Sequence, residues 1–212
     1  MSPAQRVDYD TERTVFFSDA VIAIAMTLLA LELPVPRGDT DAQVWDAFVT
    51  HLDDEYLSFV ISFAVIATLW FGHHRLFRQV ARLDRALAWL NMACLFAIVL
   101  IPFVSRLVAV EGDLAFGPIC YATVILLYGT AFMLMVLRAE RGDLWRTDAP
   151  ARYATNALWG MGTVVAVFAA SIPVALVAAS AAEYIWLSIP LVSAITNRHA
   201  GGRPPLGGAP AE

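Results

Sequence analysis

Three polar side chains lie at the start of the first apolar segment of this 212-residue chain. The stretch reads RTVFFSDAVIAIAMTLLALELPVP over residues 13–36, and its polar members are Arg13, Ser18 and Asp19. Ionisable groups at the edge of hydrocarbon are costly, so they are normally paired or functional. At about 100° per residue, Asp19 shares a narrow helix side with small or flexible residues, namely Ala23, Met26 and Ala30. That side favours close helix packing, and we expect Asp19 to point into the protein.

A second polar cluster supplies candidate partners for the Asp19 carboxylate. Trp70 and His73 share a face of the second apolar segment, His74 is adjacent, and Asn91 lies about one turn inside the third segment. The cluster is compatible with a histidine–aspartate proton relay, a metal site or a structural hydrogen-bond network. Adjacent histidines on a helix diverge by about 100°, which makes the metal site a weak hypothesis. The network is the preferred interpretation because it satisfies every polar group without a ligand.

An aliphatic stripe runs along another face of the first segment. It contains Ile24, Leu28 and Leu31, with Thr27 beside them. The stripe either faces lipid or lines an oligomeric pore, where rings of large aliphatic side chains exclude water. The Thr27 hydroxyl either offers oxygen to a partly dehydrated ion or bonds back to its own helix. The helical wheel alone does not choose between these alternatives.

The elements that must position these residues are long apolar helices. Hydrophobic residues make up 59% of the chain and charged residues only 16%, whereas a soluble domain carries about a quarter charged residues. We predict an all-α membrane protein with six transmembrane helices over residues 14–33, 55–76, 86–108, 116–137, 153–178 and 182–196. These segments form one unit within residues 1–196, and the Gly/Pro-rich residues 197–212 are predicted to be a disordered tail. Cys94 and Cys120 lie inside apolar segments and suggest neither a disulfide nor a metal site.

Arginine placement predicts the orientation of the helices. Arginines precede the first segment, cluster between segments 2 and 3 and between segments 4 and 5, and follow segment 6. The opposite side holds only Arg37 and Arg106. The positive-inside rule then places both termini in the cytoplasm. The outer side is acidic, either as a solvated loop or as a field that enriches cations near an entrance.

The motifs together resemble a known family. R-x-x-x-F-S-D at Arg13, Phe17, Ser18 and Asp19, followed by W-x-x-H-H from Trp70 and by Asn91 with a later Pro-Phe pair, is similar to the signature of the transmembrane protein 175 family. These are lysosomal potassium channels of animals and their bacterial relatives. The resemblance covers residues 13 to about 108, and beyond them it rests on segment count and topology.

The resemblance implies a bacterial potassium channel of modest selectivity that conducts ions passively. It implies a homotetramer of six-helix subunits, with the first helix lining a central pore and no cofactor besides K⁺ as the permeant ion. A hydrophobic constriction on that helix maps to Ile24, Leu28 and Leu31, with Thr27 as a polar layer. The structural polar network maps to Arg13, Ser18, Asp19, Trp70, His73, His74 and Asn91.

Other functions remain open alternatives to a channel. A proton-coupled secondary transporter could use His73 and Asp19, although no inverted repeat is visible in the sequence. A non-transporting membrane scaffold is excluded only by the resemblance. We expect no enzymatic activity, because no nucleophile–base constellation appears. The expected partners are further copies of the chain and membrane lipid, with no nucleic acid, and the expected location is the bacterial plasma membrane.

Overall fold

The computed structural model describes residues 3–111 and 114–186, and the regular structure within them is helical. The elements in chain order are α1 (Pro3–Leu31), α2 (Asp41–Thr50), a π-helical turn (Leu52–Tyr56), α3 (Leu57–Gln79), α4 (Arg85–Glu111), α5 (Phe116–Arg141), α6 (Tyr153–Ala175) and α7 (Ala179–Trp186).

Five of these helices are long and apolar enough to cross a membrane. The qualifying stretches are Thr11–Leu31, Leu57–Gln79, Arg85–Val110, Phe116–Arg141 and Tyr153–Ala175. The prediction of an all-helical membrane protein is thereby confirmed at this level. Of the sixth predicted segment, 182–196, only the beginning falls in the short helix α7, and the rest lies outside the described residues. The predicted tail, 197–212, lies outside them entirely.

Helices α4 and α5 form the centre of the bundle, and α1 and α6 lie at its periphery. About half of the apolar stretch is buried in α4 (50%) and α5 (56%), against 22% in both α1 and α6. Helix α5 packs between α4 and α6, while α1 packs on α3 and α4. Gly117 allows α5 to approach the α4 backbone, since a Cβ there would lie 3.1 Å from the Leu107 carbonyl oxygen. The face of α1 that points away from α3 and α4 is therefore poorly covered by the rest of the chain.

The two connections at the arginine-rich end of the bundle are tied together. We define this end as the one where α3 ends, α4 begins, α5 ends and α6 begins. Val80 and Trp145 form an isolated antiparallel bridge there, and the Ala81 amide donates to the Leu144 carbonyl at 2.8 Å. Asp84 caps α4 by accepting from the Leu87 amide at 2.8 Å and also pairs with Arg138 of α5. These bonds place the ends of α3 and α5 and the start of α4 at one level.

Removing the Asp84 side chain is expected to weaken this junction. The Leu87 amide and the Arg138 guanidinium hold the pKa of Asp84 below its usual value of 3.8. A lowered carboxyl pKa contributes stability at neutral pH that is lost as the pH falls through the folded-state pKa. We expect Asp84→Ala to cost about 1 kcal/mol at pH 7, in line with the loss of a helix cap. Thermal unfolding at pH 7 and at acidic pH checks this, and a deficit that stays the same at both would contradict the assigned ionisation.

The acidic connection after α1 contains a short helix that was not predicted. Helix α2 has 10 residues and begins after Thr40, whose hydroxyl accepts from the Gln43 amide at 3.3 Å. None of its residues is buried, and Trp45 is 66% exposed. The stretch is thus exposed, as the solvated-loop alternative has it, but over α2 it is a helix and not a loop. A helix this short, without a buried face, leaves little hydrophobic periodicity in the sequence.

Candidate functional site

Helix α1 buries one narrow stripe against the rest of the chain. Ser18, Ile22, Ala25 and Leu29 are each at most 1% exposed and follow one another at steps of four, three and four residues. Helices α3 and α4 cover this stripe. Of the predicted packing side, Ala23 and Ala30 are exposed, while Asp19 and Met26 are half-buried. The predicted rotation of α1 was therefore wrong for those two alanines.

The predicted pore-lining residues lie on the part of α1 that the rest of the chain leaves uncovered. Ile24 is 58% exposed, Leu28 40% and Leu31 77%, and Thr27 is also exposed. The Thr27 hydroxyl donates to the Ile24 carbonyl oxygen at 2.8 Å. This is the bond to its own helix that the sequence left open as one alternative. The hydroxyl oxygen still has lone pairs with which it can accept a hydrogen bond or coordinate an ion. The structure thus groups all four residues on one exposed surface of α1.

Asp19 is held by the indole of Trp70. The Trp70 Nε1 group donates to Asp19 Oδ1 at 2.8 Å, across 51 positions of sequence. A hydrogen bond to a charged acceptor is stronger than one between neutral groups. The Trp70 ring also lies against His74, with centroids 5.4 Å apart. This bond fixes the arginine-rich end of α1 to α3.

Asn91 joins three helices through a buried chain of hydrogen bonds. Its Nδ2 donates to Ser18 Oγ of α1 at 2.9 Å, and its Oδ1 lies 2.7 Å from His73 Nε2 of α3. Ser18 Oγ in turn donates to the Thr14 carbonyl oxygen at 2.8 Å. The Ser18 hydrogen is thus committed, so Ser18 accepts from the Asn91 amide, whose oxygen then faces His73. His73 Nε2 must therefore carry a hydrogen.

The two remaining network candidates occupy different surroundings. Arg13 is exposed on α1, five residues before Ser18. His74 Nδ1 is buried and has no hydrogen-bond partner among the residues that the structure describes. Of the two histidines, His73 is the one that bonds to Asn91. Within 3–111 and 114–186, no group of three or more His, Cys, Asp or Glu side chains is arranged to hold a metal ion.

The opposite end of α1 has anchors that the sequence analysis missed. Glu32 pairs with Arg106 of α4 at 2.5 Å, and the Tyr56 hydroxyl donates to the Pro34 carbonyl oxygen at 2.9 Å. Both lie beside a cavity of about 290 Å³. One signal was present, since Arg106 was one of only two arginines on the arginine-poor side of the predicted topology. Its presence there indicated a specific partner, but the pattern did not say which acid.

Further polar contacts join α3 and α4 near this end. Ser62 donates to Ser105 Oγ at 2.8 Å, and Ser58 lies 3.3 Å from the same hydroxyl. All three serines are buried. Hydroxyl pairs of this kind hold membrane helices together where apolar packing gives no preference over lipid. They support α3 and α4, against which α1 rests at both ends.

The similarity to known proteins covers the same part of the chain. The family model described as "Endosomal/lysosomal potassium channel TMEM175" matches residues 13–102, a range that includes every pore-lining and network residue predicted from the sequence. A protein named a potassium channel from Streptomyces collinus is 35% identical over 162 residues, which cover 73% of this chain and 78% of that protein. One from Chamaesiphon minutus, also named a potassium channel, is 32% identical over 171 residues, covering 76% and 84%.

The fold agrees with a solved structure as well. A crystal structure described as a lysosomal potassium-selective channel TMEM175 homolog from Chamaesiphon minutus superposes with a TM-score of 0.74. The superposition covers 89% of this chain and 98% of that one, at 23% sequence identity. This likeness concerns the arrangement of helices.

Proposed function

Because this chain belongs to the TMEM175 family of potassium channels, we propose that it conducts potassium passively across a membrane. One observation carries the proposal. Helix α1 is anchored on one side by Ser18 and Asp19, while its aliphatic surface around Ile24 and Leu28 is left uncovered by its own subunit. A helix held in this way can present a fixed surface to identical helices.

We place four copies of α1 around a central axis. In such a homotetramer, each subunit contributes the surface formed by Ile24, Thr27, Leu28 and Leu31 to one common path. Rings of four large aliphatic side chains form a narrow passage that excludes water and limits ion flow. The ring of Thr27 hydroxyls gives a partly dehydrated ion its weak coordination, which supports modest selectivity for potassium. A sixth crossing over 182–196 completes each subunit in this proposal.

The membrane orientation follows from charge. Arginines are concentrated where α3 ends and α4 begins and where α5 ends and α6 begins, which makes this end cytoplasmic by the positive-inside rule. Both termini are then cytoplasmic, and the tail over 197–212 extends from that side. The bacterial relatives support the plasma membrane of a bacterium as the location.

Recording from purified protein in planar bilayers tests the channel directly. With potassium on one side and sodium on the other, we expect unitary currents and a reversal potential displaced toward potassium. A reversal potential near zero would show that the channel does not select potassium over sodium. Flux that requires a counter-transported proton, without unitary currents, would favour a secondary transporter. Absence of current from correctly assembled protein would favour a non-transporting scaffold.

The polar network has a positioning role in this proposal. Replacing Asp19 by alanine leaves the Trp70 indole without its acceptor and removes one of the bonds that hold the arginine-rich end of α1. We expect Asp19→Ala to lower the tetramer fraction at a given detergent concentration severalfold, as measured by size exclusion with light scattering. Asp46→Ala, which removes an exposed carboxylate of α2, is the matched control. Normal tetramers without conduction would instead place Asp19 in the ion path.

A further inference from the structure

A cavity of about 310 Å³ lies between α3, α5 and α6, away from α1 and its network. Its polar members are Thr68 and Arg75 of α3 together with Tyr153 and Asn156 of α6. Helix α3 ends and helix α6 begins at the arginine-rich end of the bundle. Val80, just after α3, bridges to Trp145, whose ring centroid lies 5.5 Å from that of Tyr153, the first residue of α6. The cavity therefore opens at the membrane level where lipid headgroups of that leaflet lie in the proposed orientation.

The polarity of the cavity changes with depth. Arg75, Tyr153 and Asn156 line the part nearest the arginine-rich end. Thr68 lies seven residues before Arg75, or ~10 Å deeper along the helix. Apolar side chains line the rest, among them Leu69, Phe132, Met161 and Val164. A charged mouth above an apolar slot matches a headgroup above an acyl chain.

Arg75 gives the mouth a positive charge. The Arg75 side chain is exposed, and its Nε donates to the Phe71 carbonyl oxygen at 3.0 Å. Within the described part of the chain it forms no salt bridge, and the described lining of the cavity contains no acidic residue. Guanidinium groups bind phosphate oxygens through charge-assisted hydrogen bonds. The mouth is thus suited to one phosphate.

Asn156 gives a second, independent indication that the cavity binds a ligand. Its Oδ1 is buried, yet it has no hydrogen-bond partner in the part of the chain that the structure describes. Buried acceptors are nearly always satisfied, so an acceptor left open beside a cavity indicates a ligand that brings a donor. A hydroxyl group supplies such a donor, whereas the quaternary ammonium of a choline headgroup has no hydrogen to give.

We propose that this cavity binds the headgroup of an anionic phospholipid that carries a hydroxyl, namely phosphatidylglycerol. The phosphate pairs with Arg75, a glycerol hydroxyl donates to Asn156 Oδ1, and one acyl chain enters the slot beside Phe132 and Met161. Clusters of basic residues next to membrane helices commonly recognise anionic lipids. Here a single arginine combined with an amide acceptor selects the headgroup chemistry as well as its charge.

Native mass spectrometry of the full chain in mild detergent tests the site without reference to conduction. Phosphatidylglycerol and phosphatidylcholine are titrated separately, and the apparent affinity of the first lipid bound per subunit is measured for each. We expect phosphatidylglycerol to bind about tenfold more tightly than phosphatidylcholine. Arg75→Gln should weaken phosphatidylglycerol binding about tenfold, as expected for a lost hydrogen bond between charged groups. Arg78→Gln, one turn along α3 and outside the lining, should leave it unchanged.

A second variant keeps the test decisive if Arg75→Gln assembles poorly. Asn156→Ala removes the open acceptor and is expected to bring the affinities for the two lipids close to each other. If Arg75→Gln and Arg78→Gln lowered the affinity for phosphatidylglycerol equally, the proposal would be overturned, because nonspecific attraction between arginines and anionic lipid would explain both losses. Equal affinity of the unaltered protein for the two lipids would also overturn it. Displacement of the lipid by millimolar glycerol phosphate would assign the cavity to a soluble phosphate ester instead.

Discussion

Replacing Ile24 by asparagine is expected to raise the potassium current of single channels about tenfold and to move the reversal potential toward zero. Ile24 lies near the middle of the Thr11–Leu31 stretch and is 58% exposed in the subunit. If four copies meet there, their side chains exclude water and set the main barrier to an ion. A tenfold change requires the barrier to fall by only about 1.4 kcal/mol. Four carboxamides that hold water in the passage supply a change of this order.

The control for this experiment is Val99→Asn. Val99 is 49% exposed and lies near the middle of α4, so the substitution places a similar amide at a similar depth. We do not place Val99 in the pore, and its replacement should leave conductance and selectivity unchanged. Equal effects of the two substitutions would indicate a general change in assembly. Unchanged conductance in Ile24→Asn would show that Ile24 does not line the pore.

The long apolar helices could be predicted from the sequence because each carries its own signal. A membrane helix needs about 20 apolar residues, and that requirement is local to one stretch of chain. Helix α7 begins at Ala179, three residues before the predicted segment, and the described residues end at Trp186. Helix α2 was missed because it lacks both length and a buried face.

The rotation of α1 about its axis could not be predicted in the same way. Nearly every position from Ala20 to Leu31 is apolar, so the helical wheel shows little contrast between its sides. The buried stripe of Ile22, Ala25 and Leu29 is decided by contacts with α3 and α4, which lie far away in sequence. Polar residues carry more information, because each requires a partner. Asp19 and Trp70 were expected at one level, and the structure has a hydrogen bond between them.

The contacts at the two ends of α1 explain how its uncovered surface can be fixed without being packed. At one end, Ser18 and Asp19 bond to α4 and α3, and at the other Glu32 pairs with Arg106 of α4. These bonds are directional, so they set the rotation of the helix as well as its position. Apolar packing alone would set it poorly, because lipid tails are as apolar as leucine side chains. A helix with this support can carry a narrow passage on its free side.

Asn91→Leu is the second substitution with a large expected effect, and it acts on stability. The Asn91 side chain is fully buried and joins Ser18 of α1 to His73 of α3. Leucine makes neither bond and leaves the His73 N–H buried without an acceptor. The cost of such a group is about 1–3 kcal/mol, so we expect a loss near 2 kcal/mol. For a chain of this size, that corresponds to a decrease in Tm of roughly 4–8 °C.

Two comparisons separate this effect from the mere loss of a polar side chain. Thr123→Leu is the control, because Thr123 is exposed on α5 and its hydroxyl donates only to the Ile119 carbonyl oxygen of its own helix. The double variant His73→Leu/Asn91→Leu removes both polar partners together, and replacing a buried pair in this way costs less than orphaning one member. The double variant should therefore be more stable than the two single losses added together, by about 1 kcal/mol. If the losses in the free energy of unfolding were additive, Asn91 and His73 would contribute independently. The hydrogen bond between them would then not be what fixes α3 to α4 at the point where α1 packs on both.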